Sequence, residues 1–552
     1  MITFEADLDG RLRDLLACYV SDGEPGVALG LYRDGELVVH TGAGLAVVEH
    51  AVPIRPDTAF DIASASKHFT ATCVLLLERD GRLSLDADVR TYLPELALAD
   101  KVTLRQCLTH TGGLREYYSL CGLSGVPLAG MSESRLLRLI SGQRDLDFPP
   151  GSAYSYSNTG YVLAAATIRR ITGKSLAGFA ADRIFGPLGM ASTRFRDDLA
   201  IPVSRMATGY RVPTGETGPH RFRRTDILEE VVGDGGVVTT VRDLAPWHAF
   251  MAAERGLKAT EPAARDLQNA RHDREIRDRL LQPQVLTDGT RLPYGLGLGI
   301  MTVAGRRAHW HSGSIPGFRS ALMYLIDEGI GVSVLANRSD VYTSQIAVAA
   351  IELVTGAPLT TATRPVPADQ AEQARDKILG RWHDQDRDVF VDVQPGPDGS
   401  IECLDEGETS RFMLATDGRW QGTAGAASLV YRLQGDHLRC TPKVGEEIYG
   451  EYVRAADDAG TEQPPVGTYF SDELAAYAVI TMDNDGPTVQ IGLNPAERME
   501  QAGPGVWIAR GMTLRRAGAG ADLLISADGA RRVLFSRMAE AQPVPAYIRG
   551  LV

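Results

Sequence analysis

Apolar positions fall into different rhythms along this chain, and the rhythms predict its elements. Near the start, "GVALGLYRDGELVVHTGAGLA" reads as two strands joined at Asp34-Gly35, a strong short hairpin signal. The stretch "KHFTATCVLLLERDG" has the length and apolar density of a buried helix, ended by Gly81. Much later, "PYGLGLGIMTVAG", "FRSALMYLIDEG" and "IGVSVLANRSD" form three strand-like runs separated by Gly-rich or charged turns. Two strands in front, helical segments between and three strands behind predict one antiparallel sheet flanked by helices, assembled from both ends of an α+β domain.

That domain is expected to span residues 1–360. Pro, Thr and Ala crowd the following stretch, so 361–375 reads as a linker. Beyond it come short alternating runs with turn residues every eight to twelve positions, the pattern of antiparallel β-barrels. A second linker at 457–465 separates 376–456 from 466–552. Each half opens alike: "ILGRWHDQDRDVFVDV" from Ile378 and "PVGTYFSDELAAYAVI" from Pro465 both place Gly, one residue and an aromatic before an acidic turn. The expected fold is multidomain α+β, a catalytic domain followed by two β-barrels.

Composition narrows the chemistry. The chain has 552 residues, 44% of them hydrophobic, and a net charge of −13. Such acidity argues against nucleic acid as a partner, because phosphates demand a basic face. No apolar run approaches the ~20 residues of a membrane helix, and "MITFEADLDGRLRDLLACYV" lacks the basic start and apolar stretch of a secretory signal. A cytoplasmic location, with no membrane partner, is the resulting expectation. Six scattered cysteines contain no Cys-x-x-Cys pair, and the His309/His311 pair has no further ligands at metal spacing. No metal and no cofactor are expected. Only six of the 57 basic residues are lysine. A lysine is therefore informative here, since it can give up its proton where arginine cannot.

One of those lysines, Lys67, follows Ser64 by three residues in "DIASASKHFT". On a helix, residues three apart share a face, so the amine can reach the hydroxyl and, if its pKa is lowered, take its proton. An ordinary helix would also contain such a pair. In "FPPGSAYSYSNTGY", Tyr156 and Asn158 form Tyr-x-Asn: a phenol that can shuttle protons and an amide that can bind a carbonyl and the lysine. The same stretch also fits a turn whose aromatic covers the core. The third stretch, "HWHSGSIPGF", carries His311, Gly313 and Ser314. Glycine allows close backbone approach, and the N–H groups of Ser314 and Ser64 would make an oxyanion hole. His311 could equally be a capped turn residue.

These stretches, in this order and at spacings of about 90 and 155 residues, resemble the penicillin-recognising serine hydrolases, which include class C β-lactamases and D,D-peptidases. "LTHTGGLREYY" from Leu108 and "GDGGVVTT" from Gly233 support the likeness. "GTYFSDELAA", outside the catalytic region, makes the whole chain similar to bacterial D-aminopeptidases, which carry two eight-stranded barrels. The resemblance implies Ser64 as acylated nucleophile, Lys67 as proton acceptor, Tyr156 as shuttle, and Asn158 and His311 as substrate and electrostatic partners. It implies small peptide, amide or ester substrates, β-lactams as possible inhibitors, and a homodimer. In those enzymes a loop of the last barrel brings an acid to the substrate's amine. The stretch expected to correspond, from Ile508, instead carries Arg510, Arg515 and Arg516 before Asp522. These arginines would favour a carboxylate in the cleft, or sit on a solvated hairpin. The expected activity is release of N-terminal D-amino acids through an acyl-enzyme. The alternatives are a D,D-carboxypeptidase, esterase, β-lactamase or peptide cyclase/thioesterase on the same serine, and an inactive binding protein.

Overall fold

The computed structural model describes residues 7–213, 221–226, 229–252, 270–359, 366–405, 408–422, 429–442, 450–455, 462–518 and 520–538. Its first sheet has six antiparallel strands in the order Gly299–Val303, Arg306–Ile315, Phe318–Leu325, Ile330–Ala336, Val27–Arg33 and Glu36–Ala43. The two ends of the domain meet where Val27 pairs with Ala336 and Arg33 with Ile330. Val27–Arg33 is buried on both faces, as its near-continuous apolar run requires. Val27, Leu29 and Leu31 pack against the flanking helices Leu8–Ala17 and Thr343–Thr355. Ala28 and Tyr32 face the larger core, which holds the helices Lys67–Arg79 and Thr159–Thr172.

The back of the sheet contributes four strands where three were expected. The additional one, Arg306–Ile315, contains the "HWHSGSI" motif. Its buried positions are Ala308, His309, His311 and Gly313, three of the four not hydrocarbon side chains, so its apolar signal is weak.

Eight strands from Gly380–Asp384 to Gly450–Arg454 close into a barrel. The stretch expected to link it to the sheet domain carries a helix, Ala368–Arg375, whose Ala371 joins the barrel core. Residues 457–461 of the second expected linker lie outside the described residues.

The last unit is a row of nine antiparallel strands running from Glu497–Arg498 round to Glu500–Gly503. Met499 alone separates these end strands, which brings the sheet nearly to closure. The two barrels use one device twice. Trp382 donates its indole N–H to the Ile378 carbonyl at 2.8 Å, and Tyr469 its hydroxyl to the Pro465 carbonyl at 2.8 Å. In both, the aromatic of the Gly-x-aromatic start is buried and bonded four residues back.

The last barrel is joined to the sheet domain through its core. Leu120 and Leu123, on helix Tyr117–Ser124, are buried in the same cluster as Tyr469, Trp507 and Leu514. No helix among the described residues is long and apolar enough to cross a membrane.

Candidate active site

Ser64 sits on a tight backbone turn. The short strand Phe60–Asp61 pairs with Val237–Thr239, after which Ala63 takes a left-handed φ of 47°. That conformation disfavours any residue with a Cβ and persists only where neighbours enforce it. Here the buried Asp61 carboxylate accepts the Ala63 N–H at 2.7 Å. Ser320 donates to the Ile62 carbonyl at 2.6 Å, and the Val237 N–H donates to Ser66 Oγ at 3.0 Å. Ser64 thus lies in a single 3₁₀ turn, Ala63–Ser66, immediately ahead of the α-helix that begins at Lys67.

Lys67 is fully buried. Its Nζ lies 3.0 Å from Ser64 Oγ, 2.7 Å from Asn158 Oδ1 and 2.8 Å from the Asp234 carbonyl oxygen. The rings of Tyr156 and Tyr161 are 4.9 and 5.3 Å away. Burial lowers its pKa to about 8, against the opposing pull of the Asp234 and Glu116 carboxylates. The geometry suits a base. A neutral amine has two N–H bonds, which the two carbonyl acceptors take up, and one lone pair, which is left facing Ser64.

Tyr156 hydrogen-bonds to Ser64, and burial holds its phenol well above its ordinary pKa. It remains protonated and can only relay a proton, receiving one as it gives another. Asn158 ends the loop before helix Thr159–Thr172. Its Nδ2 donates to Glu116 Oε1 at 3.1 Å, and its backbone N–H donates to Glu116 Oε2. Burial pushes the Glu116 carboxyl up to about 7. Asp234 is also buried and raised by burial, with its carboxylate accepting from Tyr117 at 3.1 Å.

His311 approaches from the Arg306–Ile315 strand. Its Nδ1 is 2.6 Å from the Ser312 carbonyl and its Nε2 is 3.2 Å from the Tyr294 hydroxyl. The same hydroxyl is 3.2 Å from His110 Nε2, and the His110 ring stacks on Tyr156 at 4.2 Å. A carbonyl accepts at Nδ1, so that nitrogen carries the proton and Nε2 accepts from Tyr294. Burial and the nearby Lys67 push His311 down to about 3. It is a neutral group that avoids adding a cation beside the base.

A family model described as Beta-lactamase matches residues 8–354. The chain belongs to the β-lactamase family. Among the proteins it is similar to, a D-aminopeptidase of Cereibacter sphaeroides is 29% identical over 532 residues, covering 93% of this chain and 92% of that protein. A D-aminopeptidase of Gluconobacter oxydans is 28% identical over 466 residues, 81% of each chain. The solved penicillin-binding protein homologue from Pyrococcus abyssi, described as octameric, has a TM-score of 0.55 at 22% identity. It covers 81% of this chain and 99% of its own, a likeness of fold.

Within this β-lactamase family member, the sequence-predicted residues divide. Ser64, Lys67, Tyr156 and Asn158 form one hydrogen-bonded group, His311 joins it through Tyr294 and His110, and Gly313 lies against the Ile62 carbonyl behind Ser64. Ser314, next along, lines a cavity of about 580 Å³ shared with Tyr118, Asp226, Glu229, Arg211 and Arg319. The three arginines expected as substrate contacts are instead paired within the barrels. Arg510 bonds Glu497 at 2.8 Å, Arg515 bonds Asp388 at 2.9 Å, and Arg516 donates to the Gln463 carbonyl at 3.2 Å. For Arg515 the physical reason is the buried Asp388, whose charge requires a cation, while Arg510 and Arg516 are held by partners in or beside their own barrel. Sequence reasoning missed Glu116, Asp234, His110 and Tyr294. Three of them lie in "LTHTGGLREYY" and "GDGGVVTT", stretches singled out without a role for those residues.

Among the described residues no group of three His, Cys, Asp or Glu side chains could hold a metal ion. All six cysteines are free thiols.

Proposed function

We propose that this chain is a D-stereospecific serine aminopeptidase that works through an acyl-enzyme on Ser64. The observation that carries the reading is the placement of Lys67, buried and hydrogen-bonded to Ser64 Oγ with both of its other acceptors fixed. Lys67 takes the Ser64 proton as Oγ attacks the substrate carbonyl. The N–H groups of Ser64 and Ser314 receive the developing oxyanion, and Tyr156 relays the proton that Lys67 took on to the departing amine, which leaves Lys67 neutral again. Water then repeats the sequence on the ester. Residues 1–360 carry this chemistry, and 376–456 and 466–552 support it.

The cavity beside Ser314 supports substrates with a free ammonium, because Asp226 and Glu229 line it. The named activity of the relatives is carried to this chain on that basis. Arg211 and Arg319 on the same cavity favour a second reading, a D,D-carboxypeptidase that binds a terminal carboxylate. Both readings make Ser64 a target for β-lactam acylation. A homodimer belongs to the same proposal and is tested by sedimentation.

Hydrolysis of D-Ala and L-Ala p-nitroanilides, each free and N-acetylated, separates the readings, with Ser64→Ala as control. Turnover of free D-Ala alone, lost in Ser64→Ala, is the expected result. Preference for acetylated substrates overturns the aminopeptidase assignment.

A further inference from the structure

A turn of the last barrel touches the residue that orients Asn158. Between the strands Leu523–Ala527 and Ala530–Arg537, the Gly529 carbonyl accepts the Glu116 N–H at 2.5 Å, and the Asp528 carbonyl accepts the Ser119 hydroxyl. The Asp528 carboxylate is itself held by Arg387 of the first barrel. On the catalytic side, Arg115 is 3% exposed, donates to the Arg531 carbonyl at 3.2 Å and pairs with Glu473. Leu493 N–H donates to the Ser124 carbonyl at 3.2 Å, and Asn494 Nδ2 to the Gly122 carbonyl at 2.6 Å. The contact is a fitted clasp, with backbone bonds and a buried guanidinium.

Glu116 connects this clasp to the chemistry. An asparagine amide can face Lys67 with either its oxygen or its nitrogen, and only the oxygen can accept from the amine. By accepting from Asn158 Nδ2 as well as from the backbone N–H, the Glu116 carboxylate commits the nitrogen and leaves Oδ1 toward Lys67 at 2.7 Å. If Asn158 turned over, Lys67 would lose one of its two fixed acceptors and its lone pair would no longer be confined to Ser64.

We infer that Glu116 is a positioning residue for proton transfer by Lys67, and that the Asp528–Gly529 turn of the last barrel holds it in place. This rests on the reading of Ser64 as nucleophile. The barrel is then part of the catalytic unit through a chain of contacts from Gly529 to Glu116, Asn158, Lys67 and Ser64. Gly529 is the point of this contact that fits against Glu116 itself. Its φ is +73°, and a Cβ there would lie 2.8 Å from the Cβ of Glu116.

The test uses the full-length protein and a fluorophosphonate, whose capture by Ser64 needs no D-amino acid specificity. Capture rates are measured against pH for the native protein, Glu116→Gln and Gly529→Val, with kcat and KM for D-Ala p-nitroanilide alongside. Thermal melts confirm that each variant is folded, and Glu116→Gln preserves volume should Gly529→Val fold poorly. Both variants are expected to slow capture and kcat roughly tenfold, the scale of impaired proton transfer, with KM changed less than about twofold.

The pH midpoint supplies a readout that packing alone would not move. Lys67 is faced by Glu116, Asp234, Tyr156, Tyr161, His110 and His311, of which Glu116 and Asp234 favour its charged form. Removing the Glu116 charge should move the rise in rate to lower pH. Native rates and an unmoved midpoint in Glu116→Gln would overturn the inference. So would a raised KM with native kcat, which would make Glu116 a contact for the substrate's ammonium. Unchanged capture in a folded Gly529→Val would overturn the barrel's part. No capture by the native protein would instead bring down the nucleophile assignment, and this inference with it.

Discussion

Gly313 has its α-carbon turned onto the carbonyl of Ile62, so closely that an added methyl would lie 2.0 Å from the oxygen and 2.4 Å from Ser320 Oγ. Backbone cannot yield as a flexible side chain can. Gly313→Ala should therefore push the strand off the turn that carries Ser64. The expected result is loss of kcat for D-Ala p-nitroanilide by about 100-fold or more, as misplacement of catalytic groups by an ångström typically costs. Native kinetics in this variant would mean that the strand and the turn are less tightly coupled than their contact implies.

With Lys67 as the proposed base, its titration should set the pH profile. Its folded pKa of about 8 lies below its ordinary value because burial penalises the charge, and only the neutral amine can accept the Ser64 proton. Below this midpoint kcat/KM should rise about tenfold per pH unit, and above it should level. The same shift bears on stability. The unfolded chain keeps this proton to higher pH than the folded one, so the Lys67 contribution becomes more favourable as pH rises from about 8 toward 10.5. Lys67→Arg, permanently charged, should lose activity at every pH. A profile flat between pH 6 and 9 would exclude Lys67 as the base.

Tyr156 is assigned to the leaving group, and substrates with different leaving groups test it. An amine must gain a proton to depart, whereas p-nitrophenolate leaves as an anion. Tyr156→Phe should therefore lower turnover of D-Ala p-nitroanilide by roughly 100-fold while the p-nitrophenyl ester loses about tenfold or less. Equal losses on both substrates would mean that the phenol acts on Ser64 rather than on the leaving group.

Arg515 faces Asp388, with Nε 2.9 Å from Oδ1 and 3.1 Å from Oδ2. The neighbouring Ser526 hydroxyl donates to the same carboxylate at 3.0 Å, and the Thr513 hydroxyl to the Asp388 carbonyl at 2.8 Å. Arg515→Ala should leave the buried carboxylate short of its cation and lower Tm by about 2–4 °C. Its kcat and KM should stay within about twofold of native. A large rise in KM at unchanged Tm would return Arg515 to the substrate site.

The three motifs and the sheet were legible because each announces itself locally. Near-continuous apolar runs mark Val27–Arg33 and Ile330–Ala336, and Ser64, Lys67, Tyr156 and Asn158 occur in short characteristic spacings. Residues recruited by tertiary contact give no such signal. Glu116 lies in a loop without periodicity and Tyr294 at the head of a strand-like run that says nothing of a role, and their partners Asn158 and His311 are 42 and 17 residues away. The arginines misled for a related reason. A cluster of like charges suggested a cleft, but Arg515 meets its counterion 127 residues earlier in the chain, in a different barrel. Charge read along a sequence carries no record of the acid that neutralises it.

The pairing of Val27–Arg33 with Ile330–Ala336 also governs when the molecule can form. During synthesis the first hairpin leaves the ribosome with one long edge open, and it waits for some 300 further residues before its partner strand arrives. Helices made in between can form, but the central sheet they pack against cannot close. Ser64 is consequently among the first parts of the site to be translated and among the last to find its surroundings. A nascent chain stopped before Ala336 would hold every helix of the site and have no reactive serine.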